Sequence, residues 1–295
     1  MRWGTGILVA LLAAACGGSS LQPASSTTLS VVAAENFWGS LATELGGSKV
    51  SVQSVVTDPN ADPHEYESSS ADARAFADAR LVILNGAGYD TWGQKLLDAN
   101  PSAGRQVLNI ADLLGKKNGD NPHFWYSPAY VNQVADKITA DYRSIDAADA
   151  SYFEQQRQDL TTAFRPMTDE LATIKQRYAG TDIGSTESIF VYMASALGLN
   201  LTTPAEFMNA VAEGNDPPAS AVVEFQNQIS AGQIRVLVYN LQTSTAVTTN
   251  IKTAAAAHHI PSVGVSETIQ PANLNFQDWQ LKQLLALEAA LKSAS

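Results

Sequence analysis

The sequence predicts an α/β protein of two lobes, each a mostly parallel β-sheet flanked by helices, joined by one long backbone helix. Three observations carry that prediction. Short apolar runs alternate with segments of helical spacing before residue 110 and again beyond Gly180, the pattern left by parallel strands and their crossover helices. Between these regions, 148–178 holds no glycine and shows a single apolar stripe. A length of 295 residues accommodates two domains of ordinary size, each with a core of its own.

In chain order, 29–34 is an apolar run that reads as a strand, and 35–45 has helical spacing through Phe37, Leu41 and Leu45 before Gly46-Gly47 closes it. Segment 50–56 alternates as a strand, 70–79 is a helix, 80–84 a strand, 91–99 a helix and 106–110 a strand. Ser127 can cap a further helix that Pro128 begins. In 148–178 the stripe is Phe153, Leu160, Phe164, Met167, Leu171, Ile174 and Tyr178, spaced 7, 4, 3, 4, 3 and 4 apart. That is one face of a helix roughly 45 Å long, longer than one small lobe, and Pro166 should kink it. A coiled-coil dimer is the competing reading, although few charges flank the stripe. Strands then follow at 182–185, 234–239 and 261–265, with helices at 189–197, 219–231, 245–258 and 276–294. The domain expectation is an N-terminal lobe at 29–147, a linking helix at 148–178 and a C-terminal lobe at 179–295.

Charge and cysteine content narrow the function. With 18 Lys+Arg against 29 Asp+Glu and no basic run, the net charge of −11 excludes a phosphate-backbone partner such as nucleic acid. One cysteine excludes an internal disulfide framework and any Cys₄ metal site. Arg2 precedes an apolar run at 7–15 that is too short to span a bilayer, so 1–15 reads as a signal peptide. Small residues ending at Cys16 resemble the bacterial lipobox, with Ala13 where that pattern prefers Leu or Val. A lipid on Cys16 and a tether at 16–28 are therefore expected; an incidental cysteine on a buried N-terminal helix is the alternative. No Walker loop, GxSxG or HExxH is present.

Four residues could carry chemistry together. His64 lies in the loop leaving the 50–56 strand, where ligands of parallel sheets bind, and His123 lies in Asn121-Pro-His ahead of the Ser127 cap. Each follows a proline that restricts the backbone, though a lone histidine is more often structural. Glu187 and Glu267 each follow a strand of the second lobe closely, so both carboxylates would emerge at carboxyl ends, unless they are ordinary helix-start residues. Across a cleft, two imidazoles and two carboxylates make an N₂O₂ set suited to Zn²⁺, Mn²⁺ or Fe²⁺. Tyr239 and Asn240 end a strand of the second lobe and could border that cleft.

The motifs Asp62-Pro-His-Glu-Tyr-Glu67, Asn85-Gly86 through Trp92, Pro122-His123-Phe-Trp-Tyr-Ser-Pro128, Glu187-Ser-Ile-Phe-Val-Tyr-Met193 and Ile260-Pro261 through Glu267-Thr268 resemble those of a known family. It is the family of metal-binding lipoproteins of bacterial zinc/manganese ABC importers, and the resemblance covers nearly all of the mature chain. It implies two lobes joined by a long helix, a metal held as transported substrate by His64, His123, Glu187 and Glu267, and delivery to ABC permease subunits. It also implies a monomer without enzymatic turnover, outside the cytoplasm and anchored to the cell membrane. Glu187 stands where zinc members often have His and manganese members Glu, and Glu267 where Asp is usual. The His-rich loop of many zinc members is missing. Zn²⁺ is favoured slightly over Mn²⁺. A metallohydrolase with the same His₂Glu₂ site and a surface adhesin are the competing functions.

Overall fold

The computed structural model describes residues 1, 3, 28–59, 63 and 66–294; Cys16 and His64 lie outside them. In the first half, β1 (Leu29–Glu35), α1 (Asn36–Gly46), β2 (Val50–Val56), α2 (Ser70–Asp78), β3 (Leu81–Leu84), α3 (Thr91–Ala99) and β4 (Gln106–Asn109) alternate as predicted, followed by the short α4 (Ile110–Leu113). The four strands are parallel in the order β2-β1-β3-β4. Central parallel strands are covered on both faces and so need continuous apolar runs. Val31 to Ala34 of β1 and all four residues of β3 are buried accordingly, whereas β2, at the edge, alternates between exposed and half-buried over most of its length.

Three helices then lead across the molecule: α5 (Pro128–Ile145), α6 (Ala150–Ala163) and α7 (Arg165–Tyr178). The long linking helix is bent, broken at Phe164 between α6 and α7. Pro166 sits in the first turn of α7, where its missing N–H costs no helical hydrogen bond. Each segment serves a different lobe: α6 packs on α1 and α5, while α7 packs on elements of the second half.

Those elements are β5 (Asp182–Ser185), α8 (Val191–Leu197), β6 (Asn200–Leu201), α9 (Ala205–Ala212), α10 (Ala219–Ser230), β7 (Leu237–Asn240), α11 (Ala246–Ala257), β8 (Ser262–Val265) and α12 (Phe276–Ser293). The second sheet is also parallel, in the order β6-β5-β7-β8. Two elements escape the sequence pattern, β6 because it has only two residues and α9 because it lies in a stretch whose periodicity was not distinctive. The strand expected at 234–239 begins only at Leu237, although Ile234 and Val236 are buried just before it.

Each lobe has an apolar cluster of its own, around Phe76 and Val82 in the first and Phe207 and Phe225 in the second, and a larger one joins the two lobes. That larger cluster runs from Val31 and Phe37 through Trp125 and Tyr126 to Phe190, Phe276 and Trp279, and includes Phe164 at the helix break. The Tyr126 ring lies 6.0 Å from both Phe190 and Trp279. Polar contacts reinforce the junction where the chain before and within α12 meets α1: the Ile269 N–H donates to Asn36 Oδ1 at 3.1 Å, the Phe276 N–H to Ser40 Oγ at 3.0 Å and Gln277 Nε2 to Glu44 Oε2 at 2.8 Å. No helix among the described residues is long and apolar enough to cross a membrane.

In each sheet the chain reverses its winding beside the strand that starts it, between β1 and β3 in one and between β5 and β7 in the other. Such switch points open a crevice at the carboxyl ends of the strands. Glu35 and Asn85 flank the first; Glu187 and Asn240 flank the second.

Candidate metal centre

The structure brings three of the four sequence-predicted residues to one point. A ring nitrogen of His123 and one carboxylate oxygen each of Glu187 and Glu267 lie within 4.8 Å of one another, and all three side chains are buried. The fourth, His64, lies outside the described residues.

His123 reaches the site from a loop that neighbouring asparagines shape. Asn85, just after β3, accepts from Trp38 Nε1 at 3.0 Å and donates through Nδ2 to the Pro122 carbonyl at 3.0 Å. Gly86 follows with φ of +77°, which lets the turn place the Asn85 and Gly86 N–H groups on the Asp90 carboxylate at 2.6 and 2.9 Å. Asn121 Oδ1 then accepts from the His123 N–H at 3.0 Å and lies 2.7 Å from Nδ1. Since the Asn121 amide nitrogen donates to the Ser188 carbonyl at 2.7 Å, its oxygen must face the ring. The Nδ1 proton is thus held by Asn121, and the Nε2 lone pair is left for the opposite lobe, the arrangement that metal-binding imidazoles need.

Glu187 and Glu267 supply that opposite side. His123 Nε2 lies 3.4 Å from Glu187 Oε1 and 3.3 Å from Glu267 Oε1. Glu187 has extended backbone two residues past β5, and its carbonyl accepts from Ser185 Oγ at 2.7 Å. The loop carrying Glu267 is tied down by Gln242, whose Oε1 accepts from the Glu267 N–H at 2.6 Å and the Thr268 N–H at 3.2 Å. Tyr89, from the first lobe, donates its hydroxyl to Glu267 Oε2 at 2.9 Å. Asn240 Nδ2 lies 2.5 Å from Glu187 Oε2 and 2.7 Å from Glu267 Oε1. Glu187 Oε1, buried and facing the imidazole, accepts no hydrogen bond.

Two carboxylates so close in a dry site cannot both hold full charge cheaply. Burial pushes the Glu187 carboxyl up to about 7; the neighbouring Glu267 adds to the rise, while His123 and the Asn240 amide oppose it. A divalent cation at this point would supply the missing positive charge and use the orphaned oxygen. The donor set, one imidazole nitrogen and two carboxylate oxygens, suits a first-row divalent ion better than the all-oxygen cages of Ca²⁺ or Mg²⁺.

Sequence reasoning noted Asn240 only as a residue bordering the cleft and passed over Asn121 and Tyr89. The Asn121-Pro-His spacing, with an amide two residues before the imidazole, was the one local signal available for Asn121. Tyr89 and Asn240 act across 178 and 27 residues of chain, so no local pattern marks them.

Solved structures share this fold. A Cd-bound periplasmic metal binding protein from Candidatus Liberibacter asiaticus superposes with a TM-score of 0.74 at 16% identity, covering 91% of this chain and all of that one. A crystal structure of ZnuA does so with a TM-score of 0.69 at 19% identity, covering 91% of this chain and 98% of its own. Among curated relatives, the manganese-binding lipoprotein MntA of Halalkalibacterium halodurans is 25% identical over 233 residues, 76% of each chain. The manganese ABC transporter substrate-binding lipoprotein PsaA of Streptococcus mitis is 23% identical over 238 residues, 74% of each chain. Residues 31–290 match the family described as zinc-uptake complex component A, periplasmic, and this protein, a metal ABC transporter substrate-binding protein of the zinc/manganese group, belongs to that family.

Proposed function

We propose that this chain captures a divalent transition metal between its lobes, Zn²⁺ ahead of Mn²⁺, and delivers it to ABC permease subunits in the membrane without chemical turnover. The observation that carries the reading is the buried convergence of His123, Glu187 and Glu267 from two lobes, with one carboxylate oxygen left unpartnered. His64 completes the set as the fourth ligand. The metal rank follows from chemistry: an N₂O₂ set binds Zn²⁺ more tightly than Mn²⁺ by the Irving–Williams order. The manganese-binding names of the curated relatives favour Mn²⁺ as the next candidate.

Capture requires little rearrangement on the histidine side, because Asn121 already holds Nδ1 and Nε2 already faces the two carboxylates. On the carboxylate side the arriving cation displaces the Glu187 proton. The shared core between the lobes favours a small rocking motion or loop adjustment over wide closure. A lipid on Cys16 after removal of 1–15 would hold the receptor, as a monomer, at the outer face of the cell membrane beside its permease.

Elemental analysis of the purified chain, with competitive Zn²⁺/Mn²⁺ titration of the metal-free form, tests the reading. One equivalent of bound transition metal, with zinc displacing manganese, is expected. Absence of tight binding by either ion would overturn it, and manganese displacing zinc would reverse the rank.

A further inference from the structure

Tyr89 is 2% exposed and stands in the turn that follows β3. Its ring is fixed by the first lobe: the centroid lies 5.2 Å from that of Trp125, 6.4 Å from that of His123 and 6.5 Å from that of Phe37. The turn beneath it is braced as well. Asp90 takes the Asn85 and Gly86 N–H groups on its carboxylate, the Tyr89 N–H donates to the Gly86 carbonyl at 3.1 Å, and Asn85 ties the turn to the loop before His123. Ala87 has φ of +56°, a conformation that a residue with a Cβ rarely adopts and keeps only where surrounding contacts impose it. From this base the hydroxyl crosses to the second lobe and donates to Glu267 Oε2 at 2.9 Å.

A cleft of about 570 Å³ lies between the lobes, with Gly88, Tyr89, Asn121, Ser188, Met208 and Asn209 in its lining. Tyr89 lines it, whereas the fully buried Glu267 does not. The phenol therefore stands between the cleft and the carboxylate. Resting on the metal-capture reading above, we infer that Tyr89 is a positioning residue that acts through Glu267 to slow metal release: its hydroxyl ties a carboxylate of the second lobe to the first lobe beside the ion's site. For the ion to leave, Glu267 must turn from it or the lobes must part at this point, and either motion breaks the Tyr89 bond. A hydroxyl donated to an ionised carboxylate is one of the stronger hydrogen bonds, so the tie is firm in the form that holds a cation. An arriving ion meets Glu267 already in place and breaks nothing there. The tie thus acts on departure more than on arrival, as most affinity differences between related complexes do.

The test uses the full chain with Zn²⁺. Release into excess chelator and association are timed separately by stopped flow for wild type, Tyr89→Phe and Tyr142→Phe, and equilibrium binding is measured for His123→Ala. Tyr89→Phe removes one oxygen and keeps the ring contacts. Tyr142→Phe removes an equally buried hydroxyl of the same lobe, which donates to the Ala42 carbonyl at 2.9 Å beside Phe153, away from the three converging ligands. Outer hydrogen-bond partners of metal ligands typically contribute about 10–100-fold in affinity, so Tyr89→Phe should speed Zn²⁺ release by about that range and change association by less than about threefold. Tyr142→Phe should leave both rates within about twofold of wild type, whatever it does to the melting temperature, because distant sites do not couple. Unchanged release in Tyr89→Phe, or a loss carried by association alone, would overturn the inference. Equal speeding of release by Tyr142→Phe would overturn it too, since any weakening of the first lobe would then have the same effect. If His123→Ala binds Zn²⁺ as wild type does, the site itself is misassigned and both readings fall; if it loses the ion while Tyr89→Phe releases it as wild type does, only the inference about Tyr89 falls.

Discussion

The two sheets have the same strand order and the same switch point, yet they treat a buried glutamate at that point in opposite ways. In the second lobe, Glu187 lies past the end of β5 and faces an imidazole from the other lobe. In the first, Glu35 ends β1, is equally buried, and neither of its oxygens accepts a hydrogen bond. Burial, with the Asp90 carboxylate nearby, holds the Glu35 carboxyl well above the usual range. Asparagines repeat the contrast: Asn85 beyond β3 positions the loop before His123, whereas Asn240 at the end of β7 positions the carboxylates. Equivalent places in one topology therefore support different chemistry, depending on which groups the opposite lobe presents. At Glu187 the facing imidazole opposes the rise that burial and the Glu267 carboxylate cause, whereas at Glu35 burial and the Asp90 carboxylate both push the carboxyl up.

The largest effect that would sharpen this comparison is loss of the facing imidazole. His123→Ala should weaken Zn²⁺ binding by more than the roughly 100-fold that an outer partner can cost, read by competitive titration. Next comes Asn121→Ala, which leaves the imidazole in place but frees its tautomer. A loss of about 10–100-fold in metal affinity is expected, and an unchanged Kd would show that Asn121 does not orient the ring.

A smaller, graded effect comes from protons. With the Glu187 carboxyl at about 7 in the metal-free protein, the cation must displace a proton below that pH. Affinity should be full above pH 7 and fall by about tenfold per unit as pH drops below it, and by more where histidine protonation adds. A flat titration between pH 5.5 and 7 would break the assignment of the site proton to Glu187.

The smallest effect lies in the other lobe. Glu35 carries a folded-state pKa above its unfolded value, so the folded form binds more protons and stability is lost as pH rises above about 4.5. Glu35→Gln removes that loss. The melting temperature of the metal-free variant should exceed that of wild type by a margin that widens with pH, with metal affinity unchanged within about threefold. Equal melting temperatures at pH 5 and pH 8 would show that Glu35 is not a buried neutral acid.

Much of this arrangement was legible along the chain. Val31 to Ala34 and Leu81 to Leu84 read as buried strands because parallel sheets need apolar residues on both faces. His123, Glu187 and Glu267 stood out because each titratable side chain sits in a loop next to a strand end or helix cap. Pro166 marked the bend in the linking helix within two residues of Phe164, where it occurs. Other features were not legible. A two-residue strand such as β6 is too short for any period, and Glu35 looked like the start of a helix when it is the buried end of a strand.

By itself, then, the order of residues determined the alternation of strands and helices, the long linker with its proline, and the kinds of donor available, because hydrophobic period, turn chemistry and residue type are local properties. Only the tertiary structure decided which oxygen of each glutamate faces His123, which is held by Asn240 or Tyr89, and why Glu35 and Glu187 differ. Hydrogen bonds and charge interactions depend on distances of a few ångströms between segments up to 178 residues apart, and those distances exist only once the two lobes have packed on their common core.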